Sequence, residues 1–217
     1  MKKLPLLSTL LLLLFISACS SIPLKTMYHL AKADLMTVDP IHLSAATRVP
    51  NELQESKKGV QMTFSSWLGK KKSNAKVLKI KLEKVADKEK LLSIKPLEKN
   101  SYTTLLYRLS AKDIERIKVF RQQHKKRKKV YGDNLLGSFS IAASYCRTGK
   151  LSGKPILVST WVKVGKDTGL LPLIIDHDLQ QDLKKHDKSI DKILPLCGKE
   201  NLKKTGSLSL GVKAKHV

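Results

Sequence analysis

The chain of 217 residues carries 42 Lys and Arg against 18 Asp and Glu, a formal net charge of +24, and only 5% of it is aromatic. Its length suits one ordinary domain with a real core. The charge exceeds the roughly 2 to 8 that solubility asks of a small domain. It favours anionic neighbours such as lipid head groups, lipopolysaccharide phosphates or acidic polymers, unless it reflects only a Lys-rich habit of the genome. Scarce aromatics argue against nucleic acid, whose single-strand binders interleave rings with basic residues.

Lys2 and Lys3 precede an apolar run over residues 6–16, broken only by Ser8 and Thr9, and the small residues Ser17 and Ala18 lead to Cys19. A charged start, an apolar middle and a small-residue end form the layout of a secretory signal peptide. As a helix the run would reach about 16 Å, roughly half a bilayer core, so it is a poor membrane span. The alternative is an uncleaved N-terminal anchor. Ile16-Ser17-Ala18-Cys19 resembles the lipobox of bacterial lipoproteins, an aliphatic and two small residues ahead of an invariant Cys. The resemblance covers only residues 1–20. It implies cleavage before Cys19, a thioether diacylglycerol on Cys19 and acylation of the new amino group, palmitate being a typical chain. Two or three acyl chains hold a protein stably where one binds marginally. Ser20 stands where an Asp would favour inner-membrane retention. The resemblance therefore implies lipid anchoring in the outer membrane, facing the periplasm, or in the cell membrane of an organism without an outer one.

The expected layout is a signal peptide over 1–18, a lipidated tether over 19–27 and one periplasmic domain over 28–217. Setting aside Lys2 and Lys3 of the 42 basic residues leaves 40 against 18 acidic ones, about +22 for the mature chain. Once Cys19 is lipidated, Cys146 and Cys197 remain as an even pair in an oxidising compartment, which reads as one disulfide. It would close a loop of about 50 residues, worth roughly 4 kcal/mol on a chain-entropy estimate. Neither Cys has a second Cys or His at metal-ligand spacing, and nothing marks Cys146 as a catalytic thiol.

Residues 20–26, with Pro23, form a tether that from Cys19 reaches about 27 Å when fully extended. Residues 27–36 read as a short helix or an irregular lead-in. Asp39-Pro40 suits a cap and first turn, in competition with an extended reading of 43–49 ended by Pro50. Val60, Met62, Phe64 and Trp67 predict a strand. Leu78, Ile80 and Leu82 alternate with Lys79, Lys81 and Glu83 and predict another. With the turn at 69–74 between them, these make a hairpin with a basic tip. A third strand is expected over 103–109. Ser110, with Asp113 three residues on, resembles a capping arrangement. It opens a helix whose inner face is Ile114, Ile117 and Phe120 or Arg121, and whose basic end suits the dipole. Gly132-Asp133-Asn134 breaks it. Strands follow over 135–146, 156–164 and 170–175. A second helix, capped by Asp176 or Asp178, would carry Leu179, Leu183, His186 and Ile190 on one face and end at Pro195. Residues 198–217 are polar and Lys-rich, with a weak pairing segment at 207–212. The fold class read from this order is α+β, a mostly antiparallel sheet of about six strands with two amphipathic helices in a single domain.

Chemistry is sparse. Asp178, Asp182 and His186 step by four and would share a helix face, beside Asp176 and His177, which is a plausible metal geometry. Yet acids at the start of a helix and Lys184, Lys185, Lys188 and Lys192 towards its end follow the macrodipole, and His186 falls on the apolar stripe. No metal and no cofactor is expected. Ser-x-x-Lys occurs at 73–76 and 189–192, and Lys204-Thr205-Gly206 stands without a Ser-Asp-Asn, so a penicillin-interacting serine enzyme is not indicated. No nucleophile elbow, Walker loop, dinucleotide glycine run or Cys-x-x-Cys occurs. Lys70, Lys71 and Lys72, with Lys125, Lys126, Arg127, Lys128 and Lys129, are the densest basic runs and the candidates for anionic-surface binding.

Three readings of function follow. The first is a non-catalytic, membrane-anchored envelope lipoprotein whose basic domain binds an anionic lipid, lipopolysaccharide or an envelope protein. The second is a periplasmic hydrolase with a site assembled from dispersed residues. The third is an anchoring subunit of an envelope-spanning secretion or efflux complex.

Overall fold

The computed structural model describes residues 38–70, 72–181 and 190–198, together with Thr26. The signal peptide, Cys19, the tether, the 27–36 lead-in and the 207–212 segment lie outside the described residues or almost wholly so. Eight strands are described: β1 (Leu43–Pro50), β2 (Leu53–Leu68), β3 (Lys76–Lys81), β4 (Glu83–Lys84), β5 (Tyr102–Arg108), β6 (Leu135–Arg147), β7 (Leu157–Val164) and β8 (Leu171–Asp178). The described helices are α1 (Lys88–Leu91), the long α2 (Ala111–Tyr131) and α3 (Ile190–Ile193).

The fold is α+β and antiparallel throughout its sheet pairings, in one domain, but the strands form two sheets rather than one. Five follow the order β4-β5-β1-β7-β8 and three the order β3-β2-β6. The alternation of apolar residues sets which face of a strand is buried, not which strand lies beside it. Here β6 returns to β2, and the 148–156 link carries the chain across to β7, which pairs with β1.

The competing readings of the first segment both hold. Asp39 caps a 3-10 turn over Pro40–His42, its carboxylate accepting from Ile41 N at 3.1 Å, and β1 follows at once. β1 is the centre of the larger sheet, and both its faces are covered. Leu43, Ala45 and Val49 join a core with Met62, Phe64, Ile80, Ile141 and Val162, between the two sheets. Ala46, on the other side, packs with Leu106, Trp161, Val85 and Ile94. The segment 85–97, which holds α1 and a 3-10 turn over Leu92–Leu97, thus covers the outer face of the five-stranded sheet. Each aliphatic side chain so buried contributes about 1.5–3 kcal/mol.

β2 begins seven residues before the strand predicted from Val60, because a bulge interrupts its alternation. Glu55 pairs with Tyr145 and Val60 with Ala143, so residues 56–59 stand opposite Ser144 alone. Gly59 closes the bulge at φ 64°, where a Cβ would lie 2.6 Å from Glu55 Oε1 and 2.8 Å from Lys81 Cε. Bulges re-aim side chains. Glu55 accepts a hydrogen bond from Tyr107 Oη at 3.0 Å. Burial pushes the Tyr107 phenol above its ordinary range, and Tyr145 and Glu55 add to the shift. Burial does the same to Tyr145, whose hydroxyl sits beside Thr47 too loosely for a hydrogen bond.

Ser110 caps α2 as expected, accepting from Asp113 N at 3.1 Å and donating to Asp113 Oδ2 at 2.7 Å. The second predicted helix is corrected at its start. β8 runs on through Asp178, so Asp176 is a strand residue, while Asp178 Oδ1 accepts from Gln180 N at 2.9 Å where the chain turns helical. Leu183 and His186 lie outside the described residues, and α3 precedes Pro195. The following backbone returns to β6: Arg147 N donates to Pro195 O at 2.9 Å and Cys197 N to Arg147 O at 3.0 Å. Cys146 and Cys197 lie with their sulfurs at bonding distance and their Cα atoms 5.0 Å apart, 51 residues apart in sequence.

Native protein alkylated without reductant should therefore leave Cys146 and Cys197 unmodified in peptide mass mapping. The double variant Cys146→Ala/Cys197→Ala should lose about 4 kcal/mol in denaturant unfolding. Ready alkylation of both thiols in native protein rules the bridge out.

Candidate anionic-surface interface

The two basic runs, more than fifty residues apart in sequence, meet at one end of the molecule. One comes from the tip between β2 and β3, where Lys70 and Lys72 are exposed and Lys72 Nζ lies 4.6 Å from the centre of the Trp67 ring. The other comes from the last turns of α2. This helix lies along β2 and β3: Arg116 Nη2 donates to Lys79 O at 3.4 Å, and Arg121 stacks 5.7 Å from the Phe64 ring while donating to Val38 O. Phe120 adds a tilted ring contact to Phe64 at 6.3 Å. Farther on, His124 Nδ1 lies 2.9 Å from Ser66 Oγ, and Arg127 Nη1 donates to the same oxygen at 3.2 Å. The end of α2 is then tied to the hairpin tip by Gly69 N donating to Asn134 O at 2.8 Å.

This docking sorts the expected residues. His124 is buried and Arg127 is held against Ser66, so neither belongs to the solvated run. Lys125, Lys126 and Lys129 are exposed, and Lys128 is half-buried and paired with Asp133 at 3.2 Å. Lys71 lies outside the described residues. Residues 117, 121 and 124 follow helical spacing, so the periodicity pointed inward at 124. The side-chain types argued the other way, and only the small hydroxyl of Ser66 opposite makes room and supplies an oxygen. Lys76 adds an exposed cation beside the tip, and Asp133 is the only acid within 65–76 and 121–134. Val130 and Tyr131 remain 74% and 43% exposed beside these lysines. Cations flanking exposed apolar and amphipathic side chains suit the head-group layer of a membrane.

A second charged cluster, not singled out from the sequence, lies on the outer face of the five-stranded sheet. Arg48 of β1 is 12% exposed and sits between the rings of Trp161 and Tyr102, at 5.3 and 5.8 Å. Its Nη2 donates to Asp176 Oδ1 at 2.8 Å and Ser159 Oγ at 3.2 Å, and its Nη1 to Leu97 O at 3.0 Å. A β-bulge aims Asp176: Val158 pairs with His177 and Thr160 with Ile174, so Ile175 and Asp176 share the place opposite Ser159. Asp176 adopts φ 46° there, and Ser101 adopts φ 65° in the turn before Tyr102. Lys99 Nζ lies 3.5 Å from Asp176 Oδ2 and 4.9 Å from the Tyr102 ring centre. Desolvation raises the Asp176 carboxyl, but the bond and charge of Arg48, helped by Lys99 and Ser159, outweigh it and leave it below the usual carboxylate range. The cluster clamps the outer cover to the sheet through Leu97. Within it Ser159 Oγ also donates to Asp176 Oδ1 at 3.2 Å.

The Asp-His-Asp triplet is therefore split by the strand. Asp176 faces Arg48, and Asp178 also accepts from Ile156 N at 3.3 Å. Asp182 and His186 lie outside the described residues. Among the described residues no group of three or more His, Cys, Asp and Glu is placed to hold a metal ion.

The depressed pKa of Asp176 gives a sign for pH dependence. The pair with Arg48 stabilises the fold above the unfolded carboxylate value, about 3.9, and this is lost as pH falls through the lower folded value. Asp176→Asn keeps the left-handed backbone that Asn tolerates. It should unfold at lower urea than the parent at neutral pH, with the difference closing below pH of about 4. A difference that stays constant into acid would show that the carboxylate charge plays no part. Compared with protein-family models, curated proteins and solved structures, the chain finds no match.

Proposed function

We propose that this protein is a non-catalytic envelope lipoprotein, anchored through Cys19 in a membrane facing the periplasm, whose basic end binds an anionic envelope surface. The observation that carries the reading is the meeting of the β2–β3 tip with the end of α2. Exposed Lys70, Lys72, Lys76, Lys125, Lys126 and Lys129 gather there with a single acid and with Val130 and Tyr131 uncovered. Each basic residue near an anionic leaflet contributes about 1 kcal/mol, decaying over roughly 8 Å at physiological salt. A tether of about 27 Å keeps the domain within reach of its own membrane. Phosphate-bearing lipid and lipopolysaccharide are the anions nearest to such an anchor.

A soluble form starting at Ser20, which retains every described residue, should sediment with phosphatidylglycerol vesicles and not with phosphatidylcholine ones. Binding should fall steeply as salt rises. Changing Lys70, Lys72, Lys125, Lys126 and Lys129 together to Gln should weaken it at least about tenfold, more than the same change at Lys112, Lys118, Lys150, Lys154 and Lys166. Binding that ignores salt and both sets of changes refutes the surface reading and leaves the basic excess as ordinary solvation.

The anchor has its own test. Expressed in a bacterium with lipoprotein processing, the full chain should incorporate labelled palmitate, and Cys19→Ser should abolish the label and leave an uncleaved or soluble species. Undiminished labelling of Cys19→Ser would remove the lipoprotein reading.

A further inference from the structure

A row of four side chains crosses the outer face of the five-stranded sheet near one end. Glu83 of β4 is in register with Arg108 of β5, Arg108 with Ser44 of β1, and Ser44 with Lys163 of β7. The next row along is apolar, with Leu106, Ala46 and Trp161 in register. Where these rows meet the first turn of α2, a cleft of about 790 Å³ opens, with Val85, Leu106, Ile114 and Leu170 among its apolar walls. Small-molecule sites typically measure about 300–1,000 Å³ and join apolar walls to a few polar groups. A helix of 21 residues spans about 32 Å, so this cleft lies far from the basic end at the other terminus of α2.

Its charge is one-sided. Lys90, Arg108 and Lys163 line it against Glu83 alone. Lys90 is engaged by Asp87 at 3.4 Å, and among the described residues Glu83 reaches only Arg108 Nε, at 4.0 Å. The Lys163 side chain is half-buried and makes neither an ion pair nor a hydrogen bond among the described residues. A charge partly withdrawn from water without a partner is unfavourable, and an anion between Lys163 and Arg108 would relieve it. Strands spaced by about 4.8 Å put those two residues roughly 10 Å apart, on either side of β1. Ser44 between them is short enough to leave a seat and offers a hydroxyl to its floor.

We propose that the cleft binds a single-chain amphiphile with an anionic head, a carboxylate or a phosphate. The head lies between Lys163 and Arg108 over Ser44, and the chain runs along Val85, Leu106, Ile114 and Leu170. The proposal stands independently of the surface reading above, because it uses none of the same residues.

The test uses the soluble form from Ser20 and the fluorescent fatty acid dansylaminoundecanoate. The probe should bind at one saturable site and be displaced by laurate or by lauroyl lysophosphatidylglycerol. Tighter competition by the former identifies a carboxylate as the preferred head, by the latter a phosphate. Dodecanol, with the same chain and no charge, should compete at least about tenfold more weakly. Lys163→Gln should weaken probe binding by about tenfold or more. Gly169→Trp should abolish it, since Gly169 lines the cleft and an added Cβ there meets nothing within 4 Å. Both variants should melt like the parent, and the five-Lys variant of the basic end should bind the probe normally. No saturable binding, equal displacement by dodecanol, or unchanged binding in both cleft variants would overturn the proposal.

Discussion

Ala45 and Ala46 are sequence neighbours on opposite faces of one strand, and neither is exposed to water. That double burial of β1 is the constraint on which the rest of the molecule depends. An antiparallel sheet commonly leaves one face to solvent, but this one needs two covers. The three-stranded sheet and α2 supply the inner cover, which fills the main core. The outer cover is the 85–97 segment, whose Val85, Ile94 and partly buried Leu91 and Leu97 sit on the row of Ala46, Leu106 and Trp161. Such a small cover does not extend over the whole outer face. Where it ends on one side, Arg48 and Asp176 clamp it. Where it ends on the other, the cleft under Lys163 remains.

The long helix faces a different problem, because its inner stripe is partly basic. Ile117 is buried as an apolar residue should be, and then Arg121 and His124 occupy the same face. A charged or polar group withdrawn from water needs hydrogen-bond partners. Arg121 finds the Val38 carbonyl and the Phe64 ring, while His124 and Arg127 converge on Ser66. These contacts fix the rotation of α2 about its axis. That rotation leaves Lys125, Lys126 and Lys129 outward and lays them beside the hairpin tip. The basic surface is thus a consequence of how three inward basic residues are satisfied. A helix with an ordinary Leu stripe would not hold the same azimuth for the same reason.

Two of the β-bulges act at polar clusters. The one at 56–59 turns Glu55 towards Tyr107 between the sheets, and the one at Asp176 turns a carboxylate towards Arg48 outside them. In each case extra residues in one strand, three at 56–59 and one at Asp176, let a charged side chain reach a partner that regular pleating would deny it. The sheet gives up ladder hydrogen bonds at these points and gains two cross-strand polar ties.

Local patterns determined a good deal. The alternation of Leu78, Ile80 and Leu82 carried β3, the turn at 69–74 carried the hairpin, Ser110 and Asp113 carried the start of α2, and Cys146 and Cys197 were legible as a pair. Each depends on residues near in sequence or on counting cysteines. The two-sheet partition, the bulges at Gly59 and Asp176, the inward turn of His124 and the clamp at Arg48 were decided by the tertiary structure. They depend on which strands lie side by side and on partners tens of residues away, and an alternation of period two is the same whichever neighbour a strand takes. The basic residues were visible from the start as two runs. Only the Gly69–Asn134 hydrogen bond and the seating of α2 on Ser66 made them one surface, because proximity between distant segments is a property of packing and not of composition.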